Sequence, residues 1–214
     1  NIKEKFKQAL ISTARVISDE FLSKNDTSKN QSSKDFNFFE LDNLNSRQDF
    51  IKLRAEADSE ALKRKFSNFE IYKKNLPKNS SCKSLYDISE KIRYELLGTN
   101  MLKGISKNFN ENYSNLLALK RKDQLKSKED VNISEAFELY MLKSFFKIKL
   151  NPTSEKILSF WEDEFKKSFG KHLNYLKQNL ENQERYSSRF IEILKELDFL
   201  EKDEEEKNEE NQQE

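Results

Sequence analysis

The sequence predicts a mainly α protein, a multi-helix bundle-like domain, and three observations carry that prediction. Turn formers are scarce, with 3 Gly and 2 Pro in 214 residues, so helices are favoured over hairpins. Apolar residues recur at intervals of three and four through most of the chain, the period of a helix with one buried face. Hydrophobic residues are 35% of the chain against 36% charged, and 17 Phe supply most of the bulk for a core. A chain of this length can bury such a core without disulfide or metal staples.

The elements follow in order. Phe6, Leu10, Thr13 or Ala14, and Ile17 fall at helical spacing, with Phe21 and Leu22 after them, so residues 3 to 22 are expected to form a first helix. SKNDTSKNQSSKD, residues 23 to 35, has no apolar side chain to offset its ordering entropy and is expected to be a mobile loop. FNFFEL at 36 to 41 is the one place where a short strand or hairpin is expected.

From Ser46 the helical period returns, with Phe50, Leu53, Ala57 and Ala61 or Leu62 on one face and Phe66 and Phe69 beyond. LPKNSS at 76 to 81 interrupts it, because Pro77 pushes the residue before it out of helical geometry. SLYDISEKIRYELLG, residues 84 to 98, then begins an apolar stripe of Leu85, Ile88, Ile92 and Leu96. The stripe continues through Leu102, Ile105, Phe109, Tyr113 and Leu116, which predicts one long helix over 84 to 119, bent at Gly98 or Gly104, or two helices with a hinge.

A polar run at 120 to 130 precedes the apolar-rich helix ISEAFELYMLKSFF. Asn151 and Pro152 then supply an N-cap and a first helical residue. Ile157, Trp161, Phe165 and Phe169 follow on one face, with Gly170 placed as a C-terminal cap. One or two further helices are expected over 171 to 200, carried by Leu173, Leu176, Leu180, Tyr186, Phe190, Ile193 or Leu194, and Leu197.

The net charge of +1 hides an asymmetry. EKDEEEKNEENQQE at 201 to 214 has eight acids and two lysines, net −6, which leaves +7 on residues 1 to 200. A helical domain over 1 to 200 with an acidic, disordered linker or tail over 201 to 214 is therefore expected.

Several chemistries are disfavoured. No Walker-type or dinucleotide-binding glycine motif is present, and glycines at 98, 104 and 170 cannot build a phosphate cradle. His172 and Cys82 are the whole inventory of soft metal ligands, too few for a zinc site or a Cys-His nucleophile pair. His172 is expected to be exposed or a capping partner, Cys82 an inert thiol at a loop-to-helix junction, and Trp161 a core residue. The lone cysteine and the lack of a membrane-spanning run fit a cytoplasmic protein. Basic clusters such as Lys63-Arg64-Lys65 and Lys120-Arg121-Lys122 are interleaved with acids, so nucleic-acid binding is disfavoured. No catalytic, cofactor-binding or metal-ligating residue is assigned.

Two charged segments remain. RAEADSEALKRKF at 54 to 66 has Arg54 and Asp58 four residues apart, and residues 84 to 98 set Glu90, Arg93 and Glu95 away from the Leu85 to Ile92 stripe. On pattern alone each reads as a solvated face with ordinary intrahelical pairing.

Taken together with ILSFWEDEF and ENQERYSSRFIEILKELDF, these segments resemble the N-terminal region of the CobT subunit of the aerobic cobaltochelatase. The residues that carry the resemblance are Arg54, Asp58, Ala61 and Leu62, then Tyr86, Asp87, Arg93, Glu95, Gly98, Met101 and Gly104, then Trp161, Asn182 and Gln183. They appear in the family's order from about residue 4 to 200, with an acidic linker after them. The chain departs from the family at Ala55, where a glycine is usual, and over 23 to 35, where the family is more β-like.

The resemblance implies a subunit of an ATP-dependent cobaltochelatase, which inserts cobalt into a corrin ring in cobalamin (vitamin B12) biosynthesis. It implies hetero-oligomeric partners: an AAA+ subunit that hydrolyses ATP and a large subunit that binds the tetrapyrrole. ATP, Mg²⁺ and cobalt then belong to the parent complex, and this region binds no cofactor itself. Family members also carry a C-terminal von Willebrand A-type domain, so the chain is expected to be a fragment. The region is read as a non-catalytic assembly and docking module, with Arg54, Asp58, Glu90, Arg93 and Glu95 as exposed contact candidates. The competing readings are a free-standing helical binding protein and a carboxylate-based, metal-assisted hydrolase.

Overall fold

A computed structural model describes residues 2–19, 44–118 and 125–197 of the protein. The expected loop at 23 to 35, the strand at 36 to 41 and the acidic tail at 201 to 214 lie outside these residues. The described residues are mainly α and contain no strand. The chain divides into two compact units, residues 1–67 with 94–116, and residues 68–93 with 117–214.

In the first unit, α1 (Ile2–Ile17) packs on α2 (Arg47–Phe66). α1 buries Leu10, Ala14 and Ile17, as its spacing predicts, but ends five residues before the expected limit. Asp19 turns the chain out of the helix with φ 60°, a left-handed conformation that a short polar side chain tolerates. Leu10, Leu44, Leu53 and Ala57 form a core that Phe6 and Phe50 flank, their rings edge to face at 4.9 Å.

Ser46 caps α2 through a reciprocal capping box with Asp49, which satisfies two backbone donors that the helix start leaves open. α2 buries more than one face: Ala55, Asp58 and Ser59 are enclosed along with Leu53, Ala57, Ala61 and Leu62.

The predicted long helix is two, α4 (Ser80–Met101) and α5 (Lys103–Ala118), separated at Leu102. α3 (Phe69–Lys74) precedes them. The break falls between the two glycines rather than at either. Ile105, Phe109 and Tyr113 are buried as expected, whereas Leu102 and Leu116 are exposed and Leu117 is buried instead. The division between units lies within α4, between Arg93 and Tyr94.

In the second unit, α6 (Ile133–Met141), α7 (Pro152–Ser159), α8 (Glu162–Phe169), α9 (Leu173–Gln178) and α10 (Gln183–Lys195) surround an aromatic core. Phe137 lies 5.5 Å from Phe165, 5.1 Å from Phe169 and 5.9 Å from Phe190, in the tilted and edge-on contacts such rings prefer. α6 runs into a π-turn at 142 to 146 that closes on Lys147 at φ 55°. Asn151 caps α7 with Pro152 in its first turn, as the sequence predicts.

Three expectations fail here. The stripe from Ile157 to Phe169 is broken between α7 and α8, so Trp161 is a half-buried N-cap residue beneath Lys128 rather than core. Gly170 has right-handed geometry, φ −53°, and leads into a 3-10 turn instead of ending the helix. His172 is half-buried, its side chain makes no cap bond, and Nε2 is enclosed with no hydrogen-bond partner among the described residues. Cys82 does lie at a loop-to-helix junction, near the start of α4, where its backbone N–H donates to Asn79 Oδ1 at 2.9 Å.

Candidate functional site

The five charged residues singled out in the sequence fall into two polar networks, one in each unit. Exposure was the expectation for all five. It holds for Arg54 and fails for Asp58, Glu90, Arg93 and Glu95, which are 2%, 4%, 0% and 1% exposed. Counting apolar spacings treats every charge as solvated, and these four are instead turned inward, the three acids to donors and Arg93 to acceptors, with partners on distant segments as well as within α4.

In the second unit the network joins α4 to α10. Arg93 donates from Nε and Nη2 to Glu90 Oε2, each at 3.3 Å, and from Nη1 to the Leu180 carbonyl at 3.0 Å. Gln183 donates to the same Glu90 oxygen at 3.0 Å, and Ser187 donates to Oε1 at 2.7 Å. Gln183 also reaches Asn68, accepting from its N–H at 2.7 Å and donating to its carbonyl at 3.3 Å. A buried charge survives only when such donors replace water.

Tyrosines close this network. Tyr186 OH lies 2.9 Å from Ser89 Oγ and donates to the Ser89 carbonyl at 3.2 Å. Tyr86 OH donates to the Tyr72 carbonyl at 3.3 Å, and Tyr72 OH donates to Asp87. Burial holds the phenols of Tyr72, Tyr86 and Tyr186 above the ordinary tyrosine range, so they serve as neutral donors.

In the first unit Glu95 accepts from Ser59 Oγ at 2.6 Å on one oxygen and from Tyr113 OH on the other. Asp58 accepts from Asn108 Nδ2 at 2.7 Å. Burial raises the Asp58 carboxyl above its ordinary value, against the lowering effects of Asn108 and Arg54. Gly98 lies where a Cβ would meet Leu62 Cδ1 at 2.3 Å, so the buried Leu62 side chain packs directly on the Gly98 backbone and would have to shift for any larger residue.

The family model described as cobalamin biosynthesis protein CobT matches residues 1–214, the whole chain. The chain belongs to the CobT family. Membership places it in cobalamin biosynthesis, and the CobT-like residues of the sequence now have positions. Asp58, Glu95, Gly98 and Leu62 order the first unit; Arg93, Tyr86, Asp87 and Gln183 order the second. Asn182 caps α10, accepting from the Arg185 N–H at 3.0 Å. No solved structure matches the chain.

The sequence pattern gives Ser59 and Ser187 no role, Gln183 one only through the resemblance to CobT, and Tyr113 only a place in the apolar stripe. A signal was present: Gln183 and Ser187 share the helical face of Tyr186 and Phe190, and a polar side chain in an apolar stripe must find a buried partner. Among the described residues no three His, Cys, Asp or Glu side chains converge to hold a metal ion, and no helix is long and apolar enough to cross a membrane.

Proposed function

We propose that the chain is a non-catalytic assembly module of an ATP-dependent cobaltochelatase, docking the AAA+ subunit during cobalt insertion into a corrin ring. The observation that carries this reading is the use of its buried acids. Both oxygens of Glu90 and both oxygens of Glu95 accept hydrogen bonds from side chains of the fold. A general base or metal ligand must face the reacting group, and these carboxylates face Ser, Tyr, Gln and Arg.

ATP hydrolysis then belongs to the AAA+ partner and tetrapyrrole binding to the large subunit, in a cytoplasmic hetero-oligomer. The absence of a phosphate-binding glycine motif in the sequence supports that division. Residues 201 to 214 serve as an acidic linker. Of the five candidates, Arg54 is the one placed to meet a partner directly, while the other four hold the helices in register.

Co-purification of the chain with its cognate AAA+ subunit, with and without ATP and Mg²⁺, tests this. Capture that weakens with Arg54→Glu is expected. No capture in either nucleotide state would overturn the docking role.

A further inference from the structure

We infer that Gln183, Arg93 and Asn151 form a conformational latch on the three places where the chain passes from one unit to the other. Two of those places are held through one shared carboxylate oxygen and open together, while the helices around them stay folded.

The passages fall at residues 67/68, 93/94 and 116/117. Asn68 stands between α2 and α3 in extended backbone, φ −92° and ψ 122°, outside both helical ladders. Gln183 offers it what a neighbouring strand would: the side-chain amide accepts from the Asn68 N–H at 2.7 Å and donates to the Asn68 carbonyl at 3.3 Å. At the second passage Arg93 donates at 3.0 Å to the Leu180 carbonyl, in the turn between α9 and α10. At the third, Asn151 Nδ2 donates at 2.6 Å to the carbonyl of Leu117, among the last carbonyls of α5, which have no donor within their own helix. The partners are 115, 87 and 34 positions apart, so none of these bonds is an ordinary local cap.

Two of the holds meet at one atom. Gln183 Nε2 donates to Glu90 Oε2 at 3.0 Å, and Arg93 donates to the same oxygen from Nε and Nη2, each at 3.3 Å. Leu180 and Gln183 also belong to one short segment at the start of α10. Losing the Gln183 amide therefore frees Asn68 directly and loosens the network that aims Arg93 at Leu180. Asn151 stands apart. Its Oδ1 caps α7 by accepting from the Ser154 N–H at 2.8 Å, and its Nδ2 alone reaches Leu117. A few residues at element ends, held by side chains, let a helical protein flex at defined points without unfolding.

Hydrogen exchange of the full chain, followed by NMR, tests the latch. In the wild type the Asn68 N–H is expected to be protected although Asn68 is an exposed residue, and the Arg93 Nε–H likewise. In Gln183→Met both are expected to exchange about tenfold faster, while the amides of α6 and α8 keep their wild-type rates. Ser187→Ala, which takes a donor from the other Glu90 oxygen, should leave Asn68 as in the wild type. Asn151→Asp keeps the capping oxygen and loses the amide donor, so exchange should quicken in the last turn of α5 with the Ser154 N–H still protected.

A wild-type Asn68 N–H without protection overturns the latch whether or not any variant folds. So does a Gln183→Met chain in which Arg93 is unchanged, or in which α6 and α8 exchange faster along with Asn68, since that is loss of the fold and not release at two points. Unchanged exchange at the end of α5 in Asn151→Asp removes the third hold and overturns it too.

Discussion

Ser187 donates its hydroxyl to Glu90 Oε1 at 2.7 Å although the two residues are 97 positions apart and both are buried. The contact pins α10 to the first part of α4, on the turn that also carries Arg93. A carboxylate, a guanidinium, an amide and a hydroxyl thus replace one another's water inside a helical core. Such a network specifies one packing arrangement and is costly to leave incomplete.

Removing Arg93 should therefore be severe. Arg93→Leu leaves Glu90 buried without its cation, a loss on the order of 3–5 kcal/mol, while Ser187→Ala removes one donor and should cost about 1–3 kcal/mol. Equilibrium urea unfolding would read both as shifts in midpoint. Equal, negligible shifts would contradict the inward geometry.

Gly98→Ala should destabilise the first unit by about 1–3 kcal/mol through overpacking, because the new Cβ meets Leu62 Cδ1 at 2.3 Å. Leu62→Val in the same chain should return part of that loss, and a double-mutant cycle would measure the coupling. Gly104→Ala, with open space around it, should show no comparable loss.

Asp58 offers a pH test. Its folded carboxyl titrates above the ordinary aspartate value because it is buried, so the folded state holds its proton to higher pH than the unfolded state does. Stability from this group is present at acid pH and declines as pH rises through the folded value. Asp58→Asn keeps an acceptor for Asn108, so it should be more stable than wild type at neutral pH, with the gap closing as pH falls. Denaturant melts across that range would check the sign.

His172 should act in the opposite sense. Burial, with help from Lys171 and Arg189 and against Glu196 and Glu192, lowers its pKa. The unfolded chain then takes up the proton first, so stability should fall as pH drops through the ordinary histidine range. His172→Phe should abolish that part of the pH profile. As the chain has 1 His, its imidazole NMR titration can be read without assignment.

Helix starts were the most legible part of the fold. Asn151 followed by Pro152 announces a cap through local chemistry, Ser46 marks where the helical period returns, and the stripes of Leu10 to Ile17 and Tyr186 to Leu197 announce burial. The α4 to α5 break was legible only as an alternative, since Ile105, Phe109 and Tyr113 continue the period of α4 through it. What the pattern could not convey was the direction of the charges. Glu90 and Glu95 find Ser187 and Ser59 at separations of 97 and 36 residues, which local spacing does not encode.

On the proposed docking reading, these carboxylates build an assembly module and take no part in cobalt insertion. The most direct measurement is the insertion rate of the reconstituted complex as a function of added chain, for wild type and Glu95→Gln. The expected result is the same plateau rate once equal amounts of folded chain saturate the partners. A plateau lowered about a hundredfold with the folded fraction unchanged would place Glu95 in the chemistry and contradict it.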